Sequence, residues 1–577
     1  MPATFLIIVA GIVSPQSSPS KKDYSKEGFV IQHSLTKVTF ENDGTSLRSV
    51  ELQAKIQSEA GVQKFGLLTI PYQASMESLD FDYVRVRKTD GSVVVTPPEN
   101  IQDQSSEVSR AAPLYSDQRE KHVAVKGLGV GDIVEYECHW KITNPLAPGQ
   151  FWYEHNFDYS FAVLDEQLEI RVPKERAIKL QSRQNSKISE DGNYKVYSWK
   201  SADFVARPES DDKRNRDWQL ARGVFQQPDI RISSFQSWDE VGRWYDELQK
   251  ERVKPDPEIR AKAVELTRSA IDDTAKVRAI YHYVSTKFRY IGIDFGIGRY
   301  QPHKASEVLD NQYGDCKDKH TLMAALLAAV EIKAEPALIS TVHELDPDVP
   351  TPGQFNHVVT VVPLANQEIW LDTTTEVAPF AHLVSALRGK QALVISEDKP
   401  ATLETTPANP PFRELAHFSL VGKLSADGTL DAKVERSARG DIEILLRTGF
   451  RRLPQSQWPD LIQSISYSTG FAGSIDDVVV SPPEDTDTPF QMSYSYNRKD
   501  YSGWKDKQIT PPLPLTKLFT FTNEGEQPID PVWLGAPGEM VLEAKIELPK
   551  GYVAKTPGPM DIVRDFAEYH SKCEVKD

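Results

Sequence analysis

The 577-residue sequence predicts a multidomain α+β protein with three parts. These are an N-terminal β-sandwich over residues 22–208, a central α+β core over 237–405 and a C-terminal β-rich domain over 406–577. Three observations predict this. Short alternating segments broken by Asn-Asp-Gly and Asp-Gly turns fill the first part. Helical periodicity takes over from Ser237 to Val330. Alternation returns after Pro407. A chain of this length holds three or four domains at about 150 residues each.

Residues 1–21 stand apart. Ala3 to Val13 is an apolar run of signal-peptide length, too short to span a bilayer, followed by a polar Ser/Pro stretch. No Lys or Arg precedes it and no A-x-A site follows. The expectation is a signal peptide whose basic start is missing, and hence a periplasmic or secreted envelope protein. Phe29–His33, Leu35–Phe40, Ser49–Ile56, Tyr83–Arg87, Ser92–Thr96, Ile133–Trp140, Phe151–Phe157, Leu168–Val172 and Tyr194–Trp199 read as strands. Many such strands between turns suggest two packed sheets. Residues 209–236 are charged and irregular and read as a linker. Helices are then expected from Ser237, with Glu240 completing a capping box, from about Pro257 to Ala270, and from about Thr274 to Phe288.

The chemistry-bearing stretch is Gly314-Asp315-Cys316-Lys317-Asp318-Lys319-His320, opening a helix that continues through Leu322, Leu326 and Val330. A thiol at a helix start meets free N–H groups and the positive end of the helix dipole, which favour the thiolate; Lys317 and Lys319 add positive charge. Downstream, Phe355–Val362 reads as a strand containing His357, and Glu368–Thr375 as a second strand ending at Asp372, joined through residues 363–367. If these strands pair, His357 and Asp372 lie side by side, and Cys316, His357 and Asp372 supply nucleophile, base and orienter.

Tyr313-Gly314-Asp315-Cys316-Lys317-Asp318, Asn356-His357-Val358 and Trp370-Leu371-Asp372-Thr373 resemble the core of the transglutaminase-like, or papain-like Cys-His-Asp, superfamily. With Arg289–Ile293 and Arg299–Pro302, they resemble a bacterial subgroup whose core lies between β-rich domains of unknown function, DUF3857-type. The resemblance covers roughly 237–400 and implies acyl transfer through a thioester. In this superfamily a side chain upstream of the nucleophile often joins its backbone N–H in binding the oxyanion. Gln301 is the candidate, with Tyr300 behind it. The resemblance also implies further strands beyond the last residue, so the C-terminal domain is expected to be truncated.

Function classes narrow accordingly. With 83 acidic against 67 basic residues the net charge is −16, which disfavours nucleic acid as a partner. Three cysteines, Cys138, Cys316 and Cys573, make no disulfide framework and no C-x-x-C zinc pair. Cys138 reads as core. No G-x-G-x-x-G or GK[ST] loop is present, so no cofactor or metal is expected. His343-Glu-Leu-Asp-Pro-Asp348 reads as a solvated loop, and His303 and His320 as surface residues near the cleft. The expectation is an enzyme acting on protein or peptide amides, with hydrolysis slightly ahead of cross-linking. The alternative is a non-catalytic envelope scaffold that binds through its β domains. Oligomeric state is not legible.

Overall fold

A computed structural model describes residues 24, 26–111, 117–157, 161–204, 227–292, 299–501, 503–514 and 537–576. The expected signal segment lies outside these. The chain forms two compact units. The first comprises residues 1–245, 293–301 and 342–354; the second comprises 246–292, 302–341 and 355–577. No helix among the described residues is long and apolar enough to cross a membrane.

The first unit is β-rich, as alternation predicts. Its largest sheet has eight strands, in the order Lys187–Asp191, Tyr194–Phe204, Val163–Pro173, Phe29–Phe40, Ser46–Ile56, Ile133–Ile142, Glu77–Arg87 and Val93–Val95. Only the Phe29–Phe40 and Val163–Pro173 pair is parallel. Two three-stranded sheets accompany it. Val38, Phe40, Leu168, Ile170 and Trp199 of the large sheet pack on Ile230 and Ile232 of one. Ala54, Ile56, Val84 and Val134 pack on Leu68 and Val123 of the other. This is the layered sandwich that opposed apolar faces require. Cys138 is fully buried beside Tyr72, Leu79 and Trp140, as expected of a core residue.

The linker expectation needs correcting. Residues 205–226 lie outside the described set, but Ile230–Ser233 is a buried strand paired with Trp152–His155 and Lys179–Ser182. Arg231 disguised it. Its guanidinium is buried, yet Nε reaches Glu154 at 2.6 Å, so a charge that reads as solvated is paired inside the sheet. The loop 342–354 is less solvated than its composition suggests. Gln354 donates to the carbonyls of Asp346 and Val349, and Asp346 stands 3.7 Å from Arg231.

In the second unit we number α1 (Pro257–Thr267), α2 (Asp273–Lys287), α3 (Ala305–Asn311) and α4 (Cys316–Ala328). Aspartates start three of them: Asp256 caps α1 by accepting from Ile259 N at 2.9 Å, Asp272 caps α2, and Asp315 caps α4. An antiparallel sheet follows, made of β1 (Glu335–Ile339), β2 (His357–Leu364), β3 (Gln367–Leu371), β4 (Gln391–Val394) and β5 (Thr402–Thr405), in the order β3-β2-β1-β4-β5. The β2–β3 hairpin closes on Ala365-Asn366, tighter than the five-residue connection expected. Val362, Ile369 and Leu371 meet the apolar faces of the helices, among them Val277, Ile280, Leu322 and Leu326. The core therefore lies between α4 and the sheet.

The rest of the second unit is a five-stranded sheet: Ser474–Val480, Phe490–Arg498, Leu430–Arg439, Leu415–Leu424 and Glu539–Glu547, the last parallel to its neighbour. Helices α5 (Asp441–Arg451) and α6 (Trp458–Ser468) bury Phe450 and Ile462 against it. The last described strands form a small hairpin of Met560–Val563 with Glu568–Ser571.

Candidate active site

The start of α4 is unusual for a helix start because its polar residues are buried. Asp315, Lys317, Asp318, Lys319 and His320 are each at most 2% exposed, and Cys316 is 6% exposed. Each charge has a partner, as burial demands. Lys317 Nζ pairs with the Asp315 carboxylate. Burial opposes the Lys317 charge, but Asp315, Cys316 and Asp318 outweigh it and hold the ammonium above its ordinary value. Burial pushes the Asp315 carboxyl up to about 6, so both partners are charged at neutral pH. Lys319 has a second task besides the positive charge expected of it. Its Nζ donates to Phe288 O at 2.7 Å and Ser285 O at 3.3 Å, capping the end of α2.

Cys316 occupies the first helical position after the Asp315 cap. Strand β2 brings His357 to it, and the sulfur acts on the imidazole through a side-chain hydrogen bond and through charge. On the other side, His357 Nε2 is 3.4 Å from Asp372 Oδ1. This is a charge contact rather than an aligned hydrogen bond, and Nε2 has no other hydrogen-bond partner among the described residues. Such contacts are often long before substrate binds. Asp372 follows the last residue of β3, where Leu371 pairs with Thr360. Its carboxylate accepts from Thr374 N at 2.9 Å, Thr374 Oγ1 at 2.7 Å and Thr375 Oγ1 at 3.2 Å. Tyr281 of α2 donates to its carbonyl at 3.3 Å. Cys316, His357 and Asp372, distant in sequence, thus meet in one buried place.

The electrostatics follow from that geometry. Burial disfavours the charged form of His357, but the Asp372 carboxylate and the Cys316 sulfur override it and raise the imidazole well above 6.5. Burial likewise works against the Asp372 charge, yet His357 and Thr374 bring its carboxyl down to about 2. Each partner therefore favours the charged form of the other.

The remaining expectations divide. Gln301 lies in the first unit and is half-buried. Tyr300 is buried there, its ring edge-on to Trp152 and Trp244, which accounts for it as packing. His320 is not a surface residue: it is fully buried, its Nδ1 lies 2.8 Å from Thr360 Oγ1, and burial drives its pKa down to about 3. His303 is part-buried and pairs with Asp318. The Asp315/Asp318 capping box went unread, although its Asp-x-x-Asp spacing is the signal that announces one. His382, Glu414 and Asp441 bring potential ligand atoms within 4.8 Å of one another. Arg388 already contacts those carboxylates, Glu414 at 2.6 Å and Asp441 at 3.0 Å, so the cation there is the protein's own.

Comparison with known proteins agrees with this layout. Residues 260–373 match the family model of the transglutaminase-like superfamily, and residues 42–208 match that of DUF3857, a domain of unknown function with a solved structure. No curated protein matches the chain. Among solved structures, a putative protease from Parabacteroides distasonis shares the fold at TM-score 0.56 and 14% identity, over 82% of this chain and 93% of that one. A putative nutrient binding protein from Legionella pneumophila aligns at TM-score 0.21 and 12% identity, over 53% of this chain and 95% of its own.

Proposed function

We propose that the protein is a cysteine acyl-transfer enzyme acting on protein or peptide amides, with water favoured over an amine as acceptor. The observation that carries this reading is the convergence of the Cys316 sulfur, the His357 ring and the Asp372 carboxylate in one buried place. In the proposed cycle the Cys316 sulfur attacks the carbonyl and forms a tetrahedral oxyanion. The Cys316 backbone N–H stabilises it. His357 passes a proton to the leaving amine as the thioester forms, then takes one from the incoming water as the thioester breaks. Asp372 holds the ring and its positive charge. No cofactor enters this scheme. The apolar run at Ala3–Val13 supports an envelope or secreted location.

The test is capture of the acyl-enzyme with a peptide-ester probe, resolved to the modified peptide. We expect a thioester adduct on Cys316, absent from Cys316→Ala and discharged by hydroxylamine. Equal labelling of the two proteins would end the proposal and leave the scaffold reading. Proteomic substrate profiling with Cys316→Ala as control then separates hydrolysed from cross-linked products.

A further inference from the structure

The residues that fix the nucleophile in place extend beyond the three that act on the acyl group. Asp318, third in α4, has a fully buried side chain. Its Oδ1 accepts from His303 N at 2.7 Å, and its carboxylate lies 3.1–3.2 Å from His303 Nδ1. Its Oδ2 accepts from Asp315 N at 3.4 Å, while Asp318 N donates to Asp315 Oδ1 at 3.2 Å. One carboxylate therefore joins three points: the backbone and ring of His303, and the residue that caps the helix. Gly314 makes room for it, since a Cβ there would stand 2.6 Å from Asp318 Cβ. Cys316 lies between Asp315 and Lys317, which are paired with each other, and the Asp318 clasp sits in the same helical turn.

We infer that His303 and Asp318 form a positioning pair that holds the first turn of α4, and with it the Cys316 sulfur, in reactive register. The role assigned to them is positioning rather than contact with the acyl group. The pair acts through the Asp315 cap, and its catalytic meaning rests on the reading of Cys316 as nucleophile. The hydrogen bond to Asp318 outweighs burial and raises the His303 imidazole, and burial of the Asp318 carboxyl is in turn offset by His303 and Lys317, which lower it. Both shifts run the way a mutually charged pair requires. Bonds to charged groups are the stronger class, and buried ones lose most when one partner is removed.

The test needs no substrate: the rate of Cys316 alkylation by iodoacetamide at neutral pH, resolved by peptide so that exposed Cys573 does not contribute. Asn offers a side-chain N–H close to where the His Nδ1 stands, so His303→Asn keeps the donor and His303→Ala removes it. We expect His303→Ala and Asp318→Asn to slow alkylation about tenfold or more, and His303→Asn to stay within about threefold of wild type, as loss or retention of one charge-assisted bond predicts. Thermal melts of every variant accompany the rates. A wild-type rate in His303→Ala overturns the inference. So does equal slowing in His303→Ala and His303→Asn, since side-chain volume would then be the cause. If His303→Ala fails to fold, the contrast between His303→Asn and Asp318→Asn decides by the same criterion. Because iodoacetamide reads thiol reactivity alone, this pair can fail while the ester-probe adduct still forms, and the adduct can fail while the pair holds.

Discussion

Two cysteines of this chain are buried, and their surroundings differ in every respect that matters to sulfur chemistry. Cys138 sits mid-strand, paired with Val50 and Phe81 across the sheet, among Tyr72, Leu79 and Trp140. Burial there pushes the thiol up to about 12, so it stays protonated and serves as a small apolar side chain. Cys316 is almost as buried, but it opens a helix, faces the His357 imidazole and has paired charges on both chain neighbours. Burial alone therefore does not tell an inert thiol from one proposed as a nucleophile. What the polypeptide places around the sulfur does.

The largest expected effect separates the two outright. Cys316→Ala removes acyl-adduct formation completely, whereas Cys138→Ala leaves it at the wild-type rate, checked by mass spectrometry of the labelled peptides. Next is Asp372→Asn, which keeps the shape but deletes the charge that overrides burial at His357. We expect turnover to fall by about 10²–10⁴, the usual worth of a positioned acid–base group. The alkaline limb of the kcat/KM profile should also move down in pH, because that limb reports His357 losing its proton. The same linkage fixes the stability profile. The His357 contribution is full below pH 6.5 and is lost as pH rises through its raised folded value. The Asp372 contribution is present above about pH 3.8 and is lost as pH falls towards about 2. Denaturant melts across pH check both.

Smaller effects sharpen the comparison. Gly314→Ala drives a methyl against Asp318 Cβ, and the displaced carboxylate disturbs the start of α4. Overpacking of this kind costs about 1–3 kcal/mol, seen as a lower midpoint in urea, with a parallel loss of Cys316 reactivity. Cys138→Ala touches stability alone, by about 1 kcal/mol for a small buried side chain, visible as a modest drop in melting temperature.

The part of this account that sequence patterning made legible is the part governed by local rules. The helices, the β2–β3 hairpin and the Cys316, His357, Asp372 order follow from spacing, and the structure brings those three residues together. What escaped is long-range pairing of polar groups. Arg231 reads as a solvated linker residue until Glu154, 77 positions away, is known to meet it. His320 reads as surface because its helix start is charged, yet Thr360 receives it in the core. Lys319 reads as an electrostatic aid to the thiol, but its ammonium donates to the carbonyls of Ser285 and Phe288. In each case the partner lies on another element, where no window along the chain can find it.

The account's central claim is that sulfur, imidazole and carboxylate behave as one electrostatic unit. NMR titration of the His357 ring in wild type, Cys316→Ala and Asp372→Asn tests it most directly. The account predicts a wild-type midpoint well above 6.5 that falls in both variants, and furthest in Asp372→Asn. An unshifted midpoint near 6.5, identical in all three proteins, would contradict it.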